Sequence, residues 1–126
     1  MNTFNANFLF SEASGKLSKA NEEICRPEED VVSFMVCKNS QFAVESFLTG
    51  YLLQHNVTPD SHATIKTLYE KCLELNPKFN RVNLSDFDCR SHQTANRDCT
   101  DPNKVNKCLK VANDLEAFLK AENILH

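Results

Sequence analysis

The stretch CKNSQFAVESFLTGYLLQHNV, from Cys37 to Val57, decides the fold. It is the longest helix-compatible run of dense apolar content in the chain, and no proline interrupts it. Phe42, Ala43, Phe47, Leu48, Tyr51 and Leu52 cover a broad side of one helix instead of alternating as strand residues do. Upstream, Val31, Phe34 and Met35 continue the apolar surface back to Arg26-Pro27-Glu28-Glu29-Asp30. There proline suits a first helical position and three carboxylates complement the positive helix end. The helix is therefore expected to run from this signal to about Asn56. Gly50 lies inside it and carries the usual glycine penalty, which close approach by another helix would explain as well as a tolerated surface position would.

Helices on either side need that surface. Phe10, Ala13, Leu17, Ala20 and Ile24 recur in steps of three and four, predicting a first helix over about 7–25 with Gly15 in its interior. After Thr58-Pro59-Asp60-Ser61, Ile65, Leu68, Cys72 and Leu75 predict a third helix over about 60–75, ended by Asn76-Pro77. Asp101-Pro102 repeats the start signal, and Val105, Cys108, Ala112, Leu115 and Leu119 predict a last helix over about 102–123. Between them, residues 77–101 are rich in Asn, Asp, Ser, Thr and Arg without clean periodicity, and a short helix near 84–96 is the expectation there. No strand signal competes. The fold class is all-α: an antiparallel up-and-down four-helix bundle with an additional short helix, in a single domain over residues 1–126.

Composition narrows the function classes. With 41% hydrophobic and 25% charged residues the chain has the balance of a soluble globular protein, and no apolar run reaches the roughly 20 residues of a membrane helix. The N-terminus has an apolar patch with no basic residue before it, unlike a secretory signal, which favours the cytoplasm. A formal charge of −3 provides no field for nucleic acid as a whole. Six cysteines could suggest a disulfide framework, as in an exported, disulfide-stapled bundle. The compartment argument, and the place of Cys37, Cys72 and Cys108 on apolar stripes, favour reduced, buried thiols. Cys89, His92, Cys99 and Cys108 lack a C-x-x-C pair and match no common zinc spacing.

Only Gly15 and Gly50 are glycines, so phosphate-binding glycine loops are excluded, and nucleophile elbows, H-E-x-x-H helices and E-x-x-H di-iron pairs are absent. No metal or cofactor is expected. The polar residues a bundle would notice are Gln41, Glu45 and Tyr51 on the spine, with Glu45 either partly covered or reaching water, and His62 at the start of the third helix. Arg90, His92 and Arg97 combine phosphate-neutralising and proton-moving groups, the minimum for metal-independent RNA cleavage, or form a solvated surface.

The run Gln41-Phe42-Ala43-Val44-Glu45, then Phe47-Leu48-Thr49-Gly50-Tyr51-Leu52-Leu53 and His55-Asn56, resembles the second-helix signature of HEPN domains. Phe42 stands where a second glutamine is usual, and Ser46 where lysine is usual. Pro59 to His62 is similar to the turn and histidine that open the family's third helix. Thr94-Ala95-Asn96-Arg97 with Pro102 following resembles a stretch often ending Ala-Arg-Tyr-Pro, although here tyrosine and proline do not follow Arg97 directly. The resemblance implies a cytoplasmic, dimeric four-helix bundle. Many small members partner minimal nucleotidyltransferases, and others are metal-independent RNases in toxin–antitoxin or defence systems. The nuclease branch carries arginine followed four to six residues later by histidine. Arg81 and Arg90 have the wrong separation from His92, and His92 to Arg97 has the reverse order. The resemblance thus implies a non-catalytic homodimer that binds a nucleotidyltransferase-like partner or a nucleotide. Gln41, Glu45, Tyr51, His62 and Arg97 are its contact candidates. A divergent RNase using Arg90, His92 or Arg97 on RNA is the alternative.

Overall fold

The computed structural model describes residues 2–25, 33–59, 63–82, 102–122 and 124, and all elements among them are helical. They are α1 (Asn2–Ile24), α2 (Ser33–Gln54), α3 (Ile65–Leu75), a 3₁₀ turn (Pro77–Arg81) and α4 (Pro102–Ala121). The chain is therefore all-α, with no strand among the described residues.

α2 is the hub, packed by α1, α3 and α4. Its burial follows from a sequence that is apolar nearly all round. Val36, Cys37, Ala43, Val44, Phe47, Leu48 and Leu52 have no solvent exposure, and Asn39, Ser40, Gln41 and Ser46 are buried beside them. Full burial of a large apolar side chain contributes about 1.5–3 kcal/mol relative to exposure, so α2 contributes more to the core than a helix with a single stripe could. The polar residues on it are accommodated locally: Ser40 Oγ donates to the Val36 carbonyl at 2.7 Å.

α1 lies antiparallel on α2. Phe10 packs at Gly50, and the Lys16 ammonium sits 5.6 Å from the Phe42 ring centroid. Ala6, Phe10, Ala13, Leu17 and Ala20 are all buried, the stripe anticipated from spacing extended by one turn at its N-terminal end. α4 runs antiparallel to α1. Ser14 Oγ donates to Glu116 Oε2 at 3.1 Å, and the side-chain amides of Asn21 and Asn113 exchange two hydrogen bonds at 3.0 and 3.1 Å.

The two glycines have opposite situations. A Cβ built on Gly50 would stand 2.7 Å from Phe10 Cε1 and 3.4 Å from the Ala6 carbonyl oxygen, so the close helix approach is real. At Gly15 nothing lies within 4 Å. Gly50→Val is accordingly expected to lose about 2 kcal/mol through overpacking. Gly15→Ala should gain about 0.5–1 kcal/mol from helix propensity alone. Urea denaturation of both variants checks the pair, and equal signs would refute the packing assigned to Gly50.

Several element boundaries differ from expectation. α3 begins at Ile65, not near residue 60, because Thr64 is its cap: extended at φ −88°, ψ 166°, it accepts from the Thr67 amide. α1 reaches back to Asn2, and α4 stops at Ala121. Asn76-Pro77 ends α3 and also starts the 3₁₀ turn, with Asn76 Oδ1 accepting from the Lys78 amide and Pro77 at the first position. Met35 and Phe42, assigned to the apolar side of the spine, are instead exposed. The expected helix start at residues 26–30 and the short helix near 84–96 lie outside the described residues, as does His62.

Candidate functional site

The 3₁₀ turn closes one end of the core. It brings Phe79, fully buried, against Tyr51 of α2 and Phe118 of α4, with ring centroids 4.7 and 4.8 Å apart. The Tyr69 hydroxyl of α3 lies 3.0 Å from the Phe79 carbonyl and 2.7 Å from that of Val82, and the Phe79 carbonyl also accepts from the Val82 amide at 2.9 Å. His55 stacks on Tyr51 at 4.4 Å, and Lys78 pairs with Glu122 at 3.5 Å across the outside of the junction. Burial pushes the phenols of Tyr51 and Tyr69 above their ordinary value, and at Tyr51 a side-chain hydrogen bond with Asn76 partly opposes this.

The spine candidates do not converge. Gln41 is 2% exposed and its amide lies 3.5 Å from Cys37 Sγ, so it faces inward and is engaged. Glu45, one turn later, is exposed, so of the two situations open to it the structure shows the one that reaches water. Tyr51 is 3% exposed, sits among aromatic rings and points well round the helix from Glu45. Arg90, His92 and Arg97, with His62, lie outside the described residues. Gln41 and Tyr51 act as parts of the core, leaving Glu45 as the only spine candidate open to a partner.

Periodicity did not point to the cleft between α1 and α4. It has a volume of about 540 Å³ and carries Ser14, Ser18, Asn21, Glu22 and Glu116, with Cys25 at one end. Lys120 lies 3.7 Å from Glu116. Hydroxyls, amides and two carboxylates can hold water or a polar, uncharged group, but nothing in this lining neutralises a phosphate. No group of three metal-ligating side chains exists among the described residues, and no helix there is long and apolar enough to cross a membrane.

The cysteines divide unexpectedly. Cys72 and Cys108 are buried and not in disulfides, as their positions on apolar stripes implied, and Cys25 is exposed and not in a disulfide. Cys37 is equally buried but is disulfide-bonded, which corrects its assignment as a reduced thiol. Cys25, Cys72 and Cys108 are not bonded to it. Compartment arguments do not identify a bonded cysteine; proximity in the fold does.

No family model matches the chain, and no curated protein or solved structure matches it either. Its function must be read from its own residues.

Burial pushes the Cys72 thiol from 9.0 up to about 12. The native state therefore holds this proton while the unfolded chain releases it from about 9 upward. Bound protons then favour the native state, and stability falls as pH rises through that window. Denaturant midpoints measured from neutral pH to above 9 should decline, and Cys72→Ala should flatten part of the decline. An unchanged slope in the variant would refute the assignment.

Proposed function

We propose that this chain is a non-catalytic, HEPN-like helical module that forms a homodimer and binds a nucleotidyltransferase-like partner or a nucleotide, in a system of toxin–antitoxin type. The observation that carries the reading is the coincidence of the resemblance with the architecture. The run Gln41 to Asn56 that resembles the HEPN second helix covers most of α2 and the turn after it, the element on which the core is built. Of the spine candidates, Gln41 and Tyr51 are packed, and the lining of the α1–α4 cleft carries no cation for phosphate. A nucleotide would need a cationic group, and Arg97 is the cationic member of the contact candidates.

Titration of the purified protein with nucleoside triphosphates, and co-purification with a minimal nucleotidyltransferase, test the reading. Absence of both interactions would overturn it. Incubation with RNA in EDTA tests the non-catalytic part, because cleavage lost in His92→Ala would assign the chain to metal-independent nucleases.

The reading places the protein in the cytoplasm, where thiols are mostly kept reduced. There the Cys37 disulfide would have to respond to redox conditions, as structural disulfides belong to oxidising compartments. Trapping thiols in acid at lysis and mapping Cys37 by mass spectrometry decides between these. A bond fully formed in growing cells would speak against the cytoplasm.

A further inference from the structure

Among its described side chains, α2 is exposed along a narrow lane, with Leu53 and Gln54 half-buried at its C-terminal end. Its exposed positions are Met35, Lys38, Phe42 and Glu45, and the half-buried Thr49 continues the line. Steps of three and four residues place these at the 3.5-residue period of a helix-pairing seam, over about 21 Å of helix. Two members are large apolar side chains left in water, Met35 at 41% and Phe42 at 42% exposure.

The charges on the lane have an order. Lys38 and Glu45 flank Phe42 at nearly equal distances along the helix. A two-fold axis beside Phe42, with a second copy of α2 running antiparallel, sets Lys38 of each copy against Glu45 of the other. It also stacks the two Phe42 rings at the centre. A parallel arrangement would instead set lysine against lysine and glutamate against glutamate. The sequence of the lane is thus complementary to itself in one direction only.

We infer that a second copy of this chain covers the lane, giving an antiparallel, isologous α2–α2 interface centred on Phe42. The interface rests on the dimerising part of the proposed function and specifies where it occurs. Lys38 already has an interaction within its own chain, and an ammonium with three donors accommodates a second acceptor. Lys16, over the Phe42 ring, stands at the rim of the same surface. A contact of this length lies at the small end of specific interfaces, so the association depends on concentration and weakens with salt.

Sedimentation equilibrium of the full chain tests the inference, with circular dichroism showing that each variant is folded. Wild type should dimerise. Lys38→Glu and Glu45→Lys should each weaken dimerisation by about tenfold or more, because each sets like charges together twice. The double variant should recover most of the wild-type affinity, because the swap restores opposite signs. Phe42→Asp should be monomeric. A wild type that stays monomeric overturns both the interface and the dimerising part of the function. A dimer indifferent to the single reversals, or not rescued in the double variant, overturns the interface and leaves dimerisation standing.

Discussion

Phe79→Ala should lower stability by about 3–5 kcal/mol, a large share of the roughly 5–15 kcal/mol a domain of ordinary size possesses. The ring is fully buried and meets Tyr51 from α2 and Phe118 from α4, so its removal leaves a void bounded by three separate elements. Such a void collapses poorly, because filling it would require α2, α4 and the 3₁₀ turn to move together. The turn itself remains held by Tyr69, whose hydroxyl reaches the carbonyls of Phe79 and Val82, so the backbone cannot follow the missing ring. Phe79→Leu keeps most of the volume and should cost less than about 2 kcal/mol. Urea unfolding of both variants measures the difference. A similar loss for alanine and leucine would show that ring edge contacts, and not volume, set the energy.

The second large effect concerns Cys37. Reduction, or Cys37→Ala, is expected to lower stability by about 2–4 kcal/mol, because a cross-link restricts the unfolded chain. For a domain of this size that is a fall of about 10 °C in the thermal midpoint. Cys37 anchors one end of the link in the centre of α2, and the chain's two cysteines outside the described residues, Cys89 and Cys99, lie far along the sequence. A long closed loop makes the entropic effect larger. The controls are internal: Cys72→Ala should retain the response to reductant, whereas Cys37→Ala should already be low and show none. Unfolded without reductant, the chain should expose at most four of its six thiols, and six would show the bond to be absent.

The helices themselves were legible because their apolar stripes repeat where burial demands it. Phe10, Ala13, Leu17 and Ala20 could be read from spacing alone, whereas the glycine penalty at Gly50 left close approach and a surface position equally open until the Phe10 contact decided it. Local competition was harder to read. Asp60, Ser61 and Thr64 can all cap a helix, and only the backbone geometry shows Thr64 in that role. Asn76-Pro77 reads in the sequence as a stop signal, although the same two residues also begin a 3₁₀ turn. Gln41 and Glu45 illustrate the limit at the candidate site. They are one turn apart on a helix surrounded by neighbours, and the boundary between buried and exposed passes between them. A single-stripe helix announces that boundary by its periodicity, but α2 is apolar on several sides and hides it.

The paired amides of Asn21 and Asn113 carry a different consequence. A leucine at each half-buried position would keep apolar contact between the helices, yet leucines would permit α1 to slide by a turn along α4. The amides disfavour it, since a slipped pair gives up two mutual hydrogen bonds. Their worth is therefore in alignment: the double leucine variant should keep its melting temperature while its amide resonances broaden into more than one set.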